Sequence, residues 1–464
     1  MDPAADFMSL PPALALGTFY EGVMQAALRQ FFSRATLEIE PAATPSSSLE
    51  QPLTIEPSPD PTTLIICWTG TRYKLHTSGR WAFTPHEVRV ARAIGAVISA
   101  RYRAILNPQL AAERGELFRG QIEDRYVGAF LDERPYAQDL DDHRVDRIAS
   151  VIEMLRLAAL SSYENRPISS GILILDGSHD PCRPELAPQE RVLAYLESLT
   201  SIKSFYRLAD GVRTVFLADA EGRLLDIIDI DRWSLQMCPE AILEVPGAKA
   251  YQAHARATLE QRSVCVVLSP SREIKVFAGG AEVFAFRGAA WHLLDLKAKF
   301  ELWAEAVGNG PLALRLFQTA LDLADARDGA LFVVVRDPAE AVPQLVAPAD
   351  RLDICARPER FAAPVPSRRE VLHLLEGRSA TALDPSVLST LASLDGAVVV
   401  DREARLLAAG AILRHPPSDE PDAGDMVEGA RTTAAMAASK FGPVLKVSED
   451  GMITFYDRER VWDI

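Results

Sequence analysis

The chain has 464 residues, 48% of them hydrophobic, and a formal net charge of −15. That length predicts two or three domains with buried cores. The acidic charge argues against a nucleic-acid backbone as the main partner, because nucleic-acid-binding proteins usually present a basic face. The chain has no apolar run of about eighteen residues and no basic leader with an apolar core. We therefore expect a cytoplasmic protein with no membrane partner.

Five widely separated cysteines show no CxxC pair and no cysteine–histidine ligand spacing: Cys67, Cys182, Cys238, Cys265 and Cys355. This pattern predicts reduced thiols rather than a disulfide framework or a zinc site.

The first 166 residues predict a helix, a linker and then an α/β region. Apolar residues recur at helical spacing from Leu10 to Leu37, with Phe19, Val23 and Phe31 on one side, and this helix is a candidate for homo-oligomer assembly. Residues 41–63 are rich in Pro, Ser and Thr, as linkers are. Strand 63–68 and helices 84–106 and 142–160 follow, and Thr84 with Glu87 forms a helix start signal. These features place domains at residues 1–62 and 63–166.

Two motifs near the C-terminus favour an anion site. Asp395-Gly396-Ala397 precedes the β-branched run 398–400, which turns and returns through 406–413 as a hairpin. The segment 429–435 opens a helix with small residues and one arginine, Arg431. A helix start offers free N–H groups and a partial positive charge to an anion, and a guanidinium adds a bidentate phosphate donor. Asp395 supplies a carboxylate for a divalent metal.

The order of elements resembles the DisA N-terminal domain, the diadenylate cyclase fold, over residues 312–464. Helix 312–327 and strand 330–335 come first, then Asp395-Gly396-Ala397, Gly429-Ala430-Arg431 and an acidic turn at 447–450. The resemblance implies the following nucleotide-binding residues: Asp395, Gly396, Ala397, Gly429, Arg431, Thr432, Thr433, Ser448 and Glu449. It implies Asp395 as the catalytic residue of an active enzyme, and Mg²⁺ or Mn²⁺ held by Asp395 and Glu449.

The main departure from that family is at its Arg-His-Arg motif, where this chain has Arg431, Thr432 and Thr433. A second guanidinium and an imidazole are missing, and the loss of one phosphate-binding cation costs about 3 kcal/mol of transition-state stabilisation. The chain therefore resembles the degenerate, sensor-type relatives of the family (DACNV-like), which bind nucleotides rather than make them. Arg414, Lys440 and Lys446 are the nearby cations that would have to substitute in an active enzyme.

The middle third repeats this plan in a more degenerate form. Strand 171–175, an Asp-Gly turn, a hairpin and a terminal Ser-Pro-Ser-Arg-Glu turn follow one another as in the last third. The matching pattern gives four candidate residues for the second lobe: Asp210, Gly211, Arg256 and Ser269. It places this lobe at residues 167–300 and the diadenylate-cyclase-like domain at 301–464.

The sequence therefore predicts an α/β protein of mixed β-sheets flanked by helices. The leading functional hypothesis is a cytoplasmic signalling protein that senses a nucleotide or cyclic dinucleotide. One alternative is an active diadenylate or related cyclase that uses ATP and a divalent metal. Another is a structural assembly module in which side chains fill the pocket.

Overall fold

The computed structural model describes residues 12–32, 35–40, 53–56, 58–68, 70–77, 82–137, 144–163, 165–176, 193–201, 205, 208–239, 243–259, 263–352, 372–414 and 429–464. It is a mixed α/β structure, as predicted. Residues 1–241 and 253–294 form one compact unit, unit 1, and residues 242–252 and 295–464 form another, unit 2. Among the described helices, none is long and apolar enough to cross a membrane.

The first part of unit 1 combines a four-stranded antiparallel sheet with five helices. The helices are α1 (Pro12–Phe31), α2 (Pro85–Leu106), α3 (Pro108–Glu113), α4 (Ile122–Leu131) and α5 (Arg147–Ala159), with 3₁₀ turns at Gly115–Phe118 and Arg134–Tyr136. The strands are β1 (Ala35–Glu40), β2 (Thr54–Glu56), β3 (Thr63–Trp68) and β4 (Thr71–Thr77), in the order β1-β4-β3-β2. Helix α2 begins with the predicted capping box, because Thr84 Oγ1 accepts the Glu87 N–H and Glu87 accepts the Thr84 N–H.

Two predicted boundaries in this region are wrong. The helix expected over 10–37 ends at Phe31, and residues 35–40 instead pair with β4 along six residues. Its buried side is centred on Tyr20, Met24 and Leu28, one position away from the predicted face, and Phe19 is exposed. Part of the predicted linker, residues 54–56, forms an edge strand, while residues 41–52 lie outside the described residues. In both places strand pairing supplies backbone hydrogen bonds that the local pattern did not indicate.

The rest of unit 1 is built on a seven-stranded sheet. Its strands are β7 (Ser170–Ile174), β8 (Thr214–Ala218), β9 (Leu224–Asp229), β10 (Val264–Leu268), β11 (Ile274–Ala278), β12 (Ala281–Arg287) and β13 (Ala290–Leu293), in the order β13-β12-β11-β10-β7-β8-β9. A two-stranded ribbon, β5 (Ser162–Tyr163) and β6 (Arg166–Pro167), precedes it. The helices are α6 (Tyr195–Ser201), α7 (Ile230–Met237) and α8 (Gln252–Ala257). The first residue of α8 and the 3₁₀ turn before it, Lys249–Tyr251, belong to unit 2.

Unit 2 contains a six-stranded sheet in the order β16-β15-β14-β17-β18-β19. The strands are β14 (Ala330–Val335), β15 (Ala397–Asp401), β16 (Leu406–Ala411), β17 (Val444–Val447), β18 (Ile453–Asp457) and β19 (Glu459–Asp463). The helices are α9 (Leu296–Val307), α10 (Gly310–Ala326), α11 (Pro338–Leu345), α12 (Pro385–Ala392) and α13 (Ala430–Ser439), with 3₁₀ turns at Pro348–Asp350 and His373–Leu375. Val333, Val399 and Ala435 share one core, which packs α13 against the β14–β15 part of the sheet.

The two larger sheets have the same strand order, which confirms the predicted repeat of topology. Strands β9-β8-β7-β10-β11-β12 correspond to β16-β15-β14-β17-β18-β19, and β13 is an addition at one edge. The central pair is parallel in both sheets, β7 with β8 and β14 with β15, and the other pairs are antiparallel. Unit 1 and unit 2 therefore each contain one copy of the same sheet, here called the middle copy and the C-terminal copy.

The register of the strands makes the correspondence residue-specific. Ile172 pairs with Phe216 on one side and Val266 on the other, as Phe332 pairs with Val398 and Leu445. Two of the irregularities also coincide, while the one at 397/399 occurs only in the C-terminal copy. Equivalent bulges lie at 217/218 and 399/400, and at 276/277 and 455/456. Four strand pairings in each sheet give the same residue-by-residue alignment of the two copies. Chance similarity between hairpins therefore does not explain the repeat.

One turn repeats atom for atom between the copies. Asp219 accepts the Arg223 N–H at 2.9 Å and its Nε at 2.6 Å. Asp401 accepts the Arg405 N–H at 2.8 Å and its Nε at 2.6 Å. The Ser269 and Ser448 N–H groups likewise each donate to the carbonyl four residues later. Asp219 and Ser269 of the middle copy are therefore the equivalents of Asp401 and Ser448.

Candidate functional site

A cavity of about 690 Å³ lies in unit 2, where the start of β15, the start of α13 and the β17–β18 turn meet. It is lined by Leu331, Asp395, Gly396, Ala397, Ala411, Ile412, Leu413, Gly429, Ala430, Arg431, Thr432, Ala434, Lys446, Ser448, Glu449 and Asp450. Motifs that are far apart in the sequence meet here because β14 pairs with both β15 and β17.

Eight of the nine residues predicted to contact a nucleotide line this cavity. They are Asp395, Gly396, Ala397, Gly429, Arg431, Thr432, Ser448 and Glu449. Thr433 is exposed and is not among the lining residues. The structure thus brings the predicted set together, while the role of each residue in binding stays a prediction.

Gly396 is required by its own hairpin. Its φ is +114°, and a Cβ at this position would lie 2.5 Å from the Gly410 carbonyl carbon and 2.6 Å from the Ala411 oxygen. Only glycine tolerates both the positive φ and that approach. The close contact is with β16 of the protein itself.

The first turn of α13 presents its N-terminus to the cavity. Gly429 is the N-cap residue, no described side chain caps the helix, and the first turn contains no acidic residue. Helix N-termini attract anions through their N–H groups and the helix dipole. Arg431 in this turn lies over Gly329, where a Cβ would overlap its guanidinium. Gly329 therefore leaves room for the Arg431 guanidinium, and the sequence motifs did not identify it.

Two cationic side chains reach the cavity from different elements. Arg431 Nη1 lies 2.8 Å from Glu449 Oε1, and both side chains are partly exposed. Lys446, on β17, donates from Nζ to Thr432 Oγ1 at 3.0 Å. Lys446 was one of three cations that the sequence offered as a substitute for the missing family groups. Arg414 and Lys440, the other two, are not among the residues described as lining the cavity.

The metal expectation rests on Asp395 and Glu449, which line the same cavity. Within the described residues, no group of three or more His, Cys, Asp or Glu is arranged to hold a metal ion. Mg²⁺ is commonly held by one or two carboxylates together with substrate phosphates. The two carboxylates therefore fit a metal ion that is bound to a nucleotide. Glu449 would have to break its ion pair with Arg431 to bind that metal ion.

One wall of the cavity is apolar and was missed by the sequence comparison. Leu331, Ala397, Ala411 and Leu413 are buried, whereas Ile412 is 73% exposed. The signal in the sequence is the apolar run that continues past the end of β16 at Ala411. Such a wall suits a flat aromatic or purine ring, since ligand pockets combine apolar surface with a few oriented polar groups.

The site residues predicted for the middle copy do not reproduce this arrangement. The register aligns Asp395 with Arg213, so Asp210 is not its equivalent. Asp210 Oδ1 accepts the N–H groups of Val212, Arg213 and Thr214. Burial would raise the pKa of Asp210, but these donors outweigh it and hold the pKa below its ordinary value. Asp210 is therefore a turn-capping residue.

Gly211 and its neighbours fill the region of the middle copy that corresponds to the cavity. A Cβ on Gly171, the equivalent of Leu331, would lie 3.0 Å from Val215, 3.1 Å from the Gly211 Cα and 3.3 Å from Val267. Val215 and Val267 correspond to Ala397 and Lys446. The buried His254 contacts the Gly211 carbonyl oxygen at 2.9 Å through Nε2. The Gly211 turn thus packs where the C-terminal copy is open.

The other two predicted residues of the middle copy have different outcomes. Ser269 is the structural equivalent of Ser448. Arg256 lies in the last turn of α8, whereas Arg431 lies in the first turn of α13, so Arg256 is not its equivalent. The sequence match of Arg256 with Arg431 was wrong because a short Ala-Arg segment does not indicate its position within a helix.

Comparisons with known proteins add little. No protein-family model and no curated protein matches this chain. Among solved structures it is similar to a hypothetical membrane-spanning protein from Bacillus cereus, at 23% identity and a TM-score of 0.23, over 32% of this chain and 61% of that one. It is also similar to a double mutant of DacA from Staphylococcus aureus, at 20% identity and a TM-score of 0.20, over 33% of this chain and 86% of that one. TM-scores of this size carry no argument about fold or function.

Proposed function

We propose that the cavity of unit 2 binds a nucleotide or a cyclic dinucleotide and that the protein acts as a sensor of that ligand. A volume of about 690 Å³ lies within the range of small-molecule sites, roughly 300–1,000 Å³. The order of motifs that surrounds it resembles the DisA N-terminal domain. Among the residues that the structure describes, no side chain fills the cavity, which disfavours the purely structural module.

The observation that carries the proposal is the polarity of the cavity. Arg431 and Lys446 line the cavity together with the start of α13, which no described side chain caps. The apolar Leu331, Ala411 and Leu413 line it as well. Phosphate oxygens match the first set through charge-assisted hydrogen bonds. A base matches the second through apolar contact. A ligand with both parts is a nucleotide.

Binding without turnover is favoured because the cation set is reduced. Thr432 and Thr433 stand at the places of the family's imidazole and second guanidinium, and neither hydroxyl replaces a cation. Lys446 is a point charge that is tied to Thr432, without the planar fork by which arginine grips a phosphate. Lys446 is also the observation that favours the second candidate, an active cyclase that uses Asp395, a divalent metal and this lysine.

Titration calorimetry of the full chain with ATP, GTP and cyclic diadenylate, each with and without Mg²⁺, tests binding. Mass spectrometry of the same mixtures tests turnover. We expect a dissociation constant on the order of micromolar for at least one ligand and no cyclic product. Arg431→Ala should weaken binding, while Arg460→Ala, an exposed ion-paired arginine outside the cavity lining, serves as the control. A cyclic product that disappears with Asp395→Ala would establish the cyclase instead.

A further inference from the structure

Two arginines in unit 1 converge on one short loop. Arg101 on α2 donates from Nε to the Leu117 carbonyl oxygen at 2.7 Å. Arg125 on α4 donates from Nε and Nη2 to the Arg119 carbonyl oxygen, at 3.2 Å each. The two acceptors are two residues apart, and the charge of Arg125 acts on Arg101, so the two guanidinium groups lie near each other.

Both guanidinium groups and a nearby phenol keep buried donors without partners. Arg101 Nη2, Arg125 Nη1 and Tyr126 Oη are buried and have no hydrogen-bond partner among the residues that the structure describes. Arg125 and Tyr126 are each 2% exposed. Buried polar groups in proteins are almost always satisfied by protein, water or an ion. Three such donors therefore indicate a molecule or ion that accepts from them.

The charge balance indicates what that acceptor is. Asp146 is the carboxylate that faces Arg125, and its oxygens already accept from Tyr136 Oη and the Ala149 N–H. Arg125 also hydrogen-bonds to Tyr136, and the charge of Glu123 acts on Tyr126. Arg101 is influenced by the charge of Arg125 and by three tyrosines, which are neutral at physiological pH. Burial, and then the charge of Arg125, lower the pKa of Arg101. A water molecule would satisfy the donors but would leave the surplus positive charge uncompensated.

We propose that Arg101, Arg125 and Tyr126 form a binding site for a small inorganic anion, such as chloride, in the interior of unit 1. The anion accepts hydrogen bonds from Arg101 Nη2, Arg125 Nη1 and Tyr126 Oη and offsets the charge of Arg101. It stabilises the contact of α2 and α4 with the loop that contains Leu117.

Thermal unfolding in sodium chloride and in sodium gluconate at equal ionic strength tests the site. The wild type should unfold several degrees higher in chloride. Arg101→Met, which keeps most of the apolar stem and removes the charge, should lose this difference. Arg89→Met is the matched control, because Arg89 lies on the same helix, also over a phenylalanine ring and near a carbonyl oxygen, but is exposed. It should retain the chloride dependence.

Bound chloride can also be detected directly in the wild type, so this test does not require any variant to fold. ³⁵Cl NMR line broadening by the wild type should saturate with chloride and be competed by bromide. Equal unfolding temperatures in the two salts, together with no specific ³⁵Cl broadening, would mean that water fills the site and would overturn the proposal. An equal loss of chloride dependence in Arg101→Met and Arg89→Met would overturn it as well, since the effect would then be general screening.

Discussion

Arg431 and Glu449 form an ion pair at the cavity, with Nη1 and Oε1 2.8 Å apart. The pair joins the first turn of α13 to the β17–β18 turn, the two motifs that the family resemblance singles out. An incoming phosphate and Glu449 compete for the same guanidinium. Because the pair is partly exposed, it contributes at most about 1 kcal/mol, so displacing it costs a ligand little.

The first prediction follows from this competition. Glu449→Gln should strengthen ATP binding in the absence of divalent metal by a factor of up to about five, because Arg431 is then free of its competitor. Titration calorimetry in EDTA measures this, with Glu459→Gln as a surface control. If Glu449 instead holds a metal, the same variant should weaken binding in Mg²⁺. Unchanged affinity in both buffers would remove Glu449 from the site.

Lys446 gives the second prediction. Lys446→Gln should weaken ATP binding by roughly ten- to a hundredfold, since a hydrogen bond to a charged group contributes about 1.5–3 kcal/mol. Adenosine, which has no phosphate, should bind equally well to the variant and the wild type. Lys440→Gln is the control, because Lys440 is not among the lining residues. Equal loss for ATP and adenosine would show that the variant disturbs the cavity rather than removing a phosphate contact.

The third prediction concerns stoichiometry. The middle copy has valines where the C-terminal copy has Ala397 and Lys446, and the Gly211 turn packs against Gly171 beside them. The chain should therefore bind one nucleotide rather than two. Titration calorimetry with protein of known active fraction gives the number directly. If a cyclic dinucleotide binds with two chains sharing one ligand, the value falls to one half and sedimentation detects the dimer. A value of two would show that the middle copy opens.

The sequence predicted the residues of the unit 2 cavity better than it predicted their equivalents in the middle copy. Asp395, Gly396 and Arg431 were found because each lies at the end of an element that a local pattern defines. The contact of Lys446 with Thr432 depends on the register between β14 and β17, which no local pattern encodes. Sequence matching singled it out only as one cation among three.

The error at Asp210 has a different physical cause. Asp-Gly turns recur because an aspartate caps the backbone that follows it, and Asp210 does this for three N–H groups. The turn that is truly repeated is centred on Asp219 and Asp401, and its two sequences also share a glutamate two residues later and an Arg-Leu-Leu run that begins four residues later. Residue identity already aligns this hairpin, and strand pairing confirms the alignment.

The fourth prediction tests the glycine at the hairpin. Gly396→Ala should lower the free energy of unfolding of unit 2 by about 3 kcal/mol, because alanine is strained at positive φ and its Cβ would overlap β16. Urea unfolding followed by tryptophan fluorescence measures the loss. Gly429→Ala is the control, since a Cβ there meets open space, and it should cost less than about 1 kcal/mol. Similar losses for both variants would contradict the backbone argument.

The last prediction concerns acid stability of the middle copy. His254 is fully buried, and burial lowers its pKa to about 4. An unfolded histidine titrates near pH 6.5, so the unfolded state binds the proton more readily. The contribution of His254 to the free energy of unfolding is fully present above about pH 6.5. It is lost as the pH falls towards 4, and the total loss is about 3 kcal/mol. His254→Gln should flatten the stability profile of unit 1 between pH 6.5 and 4, as measured by urea unfolding at each pH. A profile as steep as that of the wild type would assign the acid sensitivity to carboxylates and show that His254 is accessible to protons in the folded state.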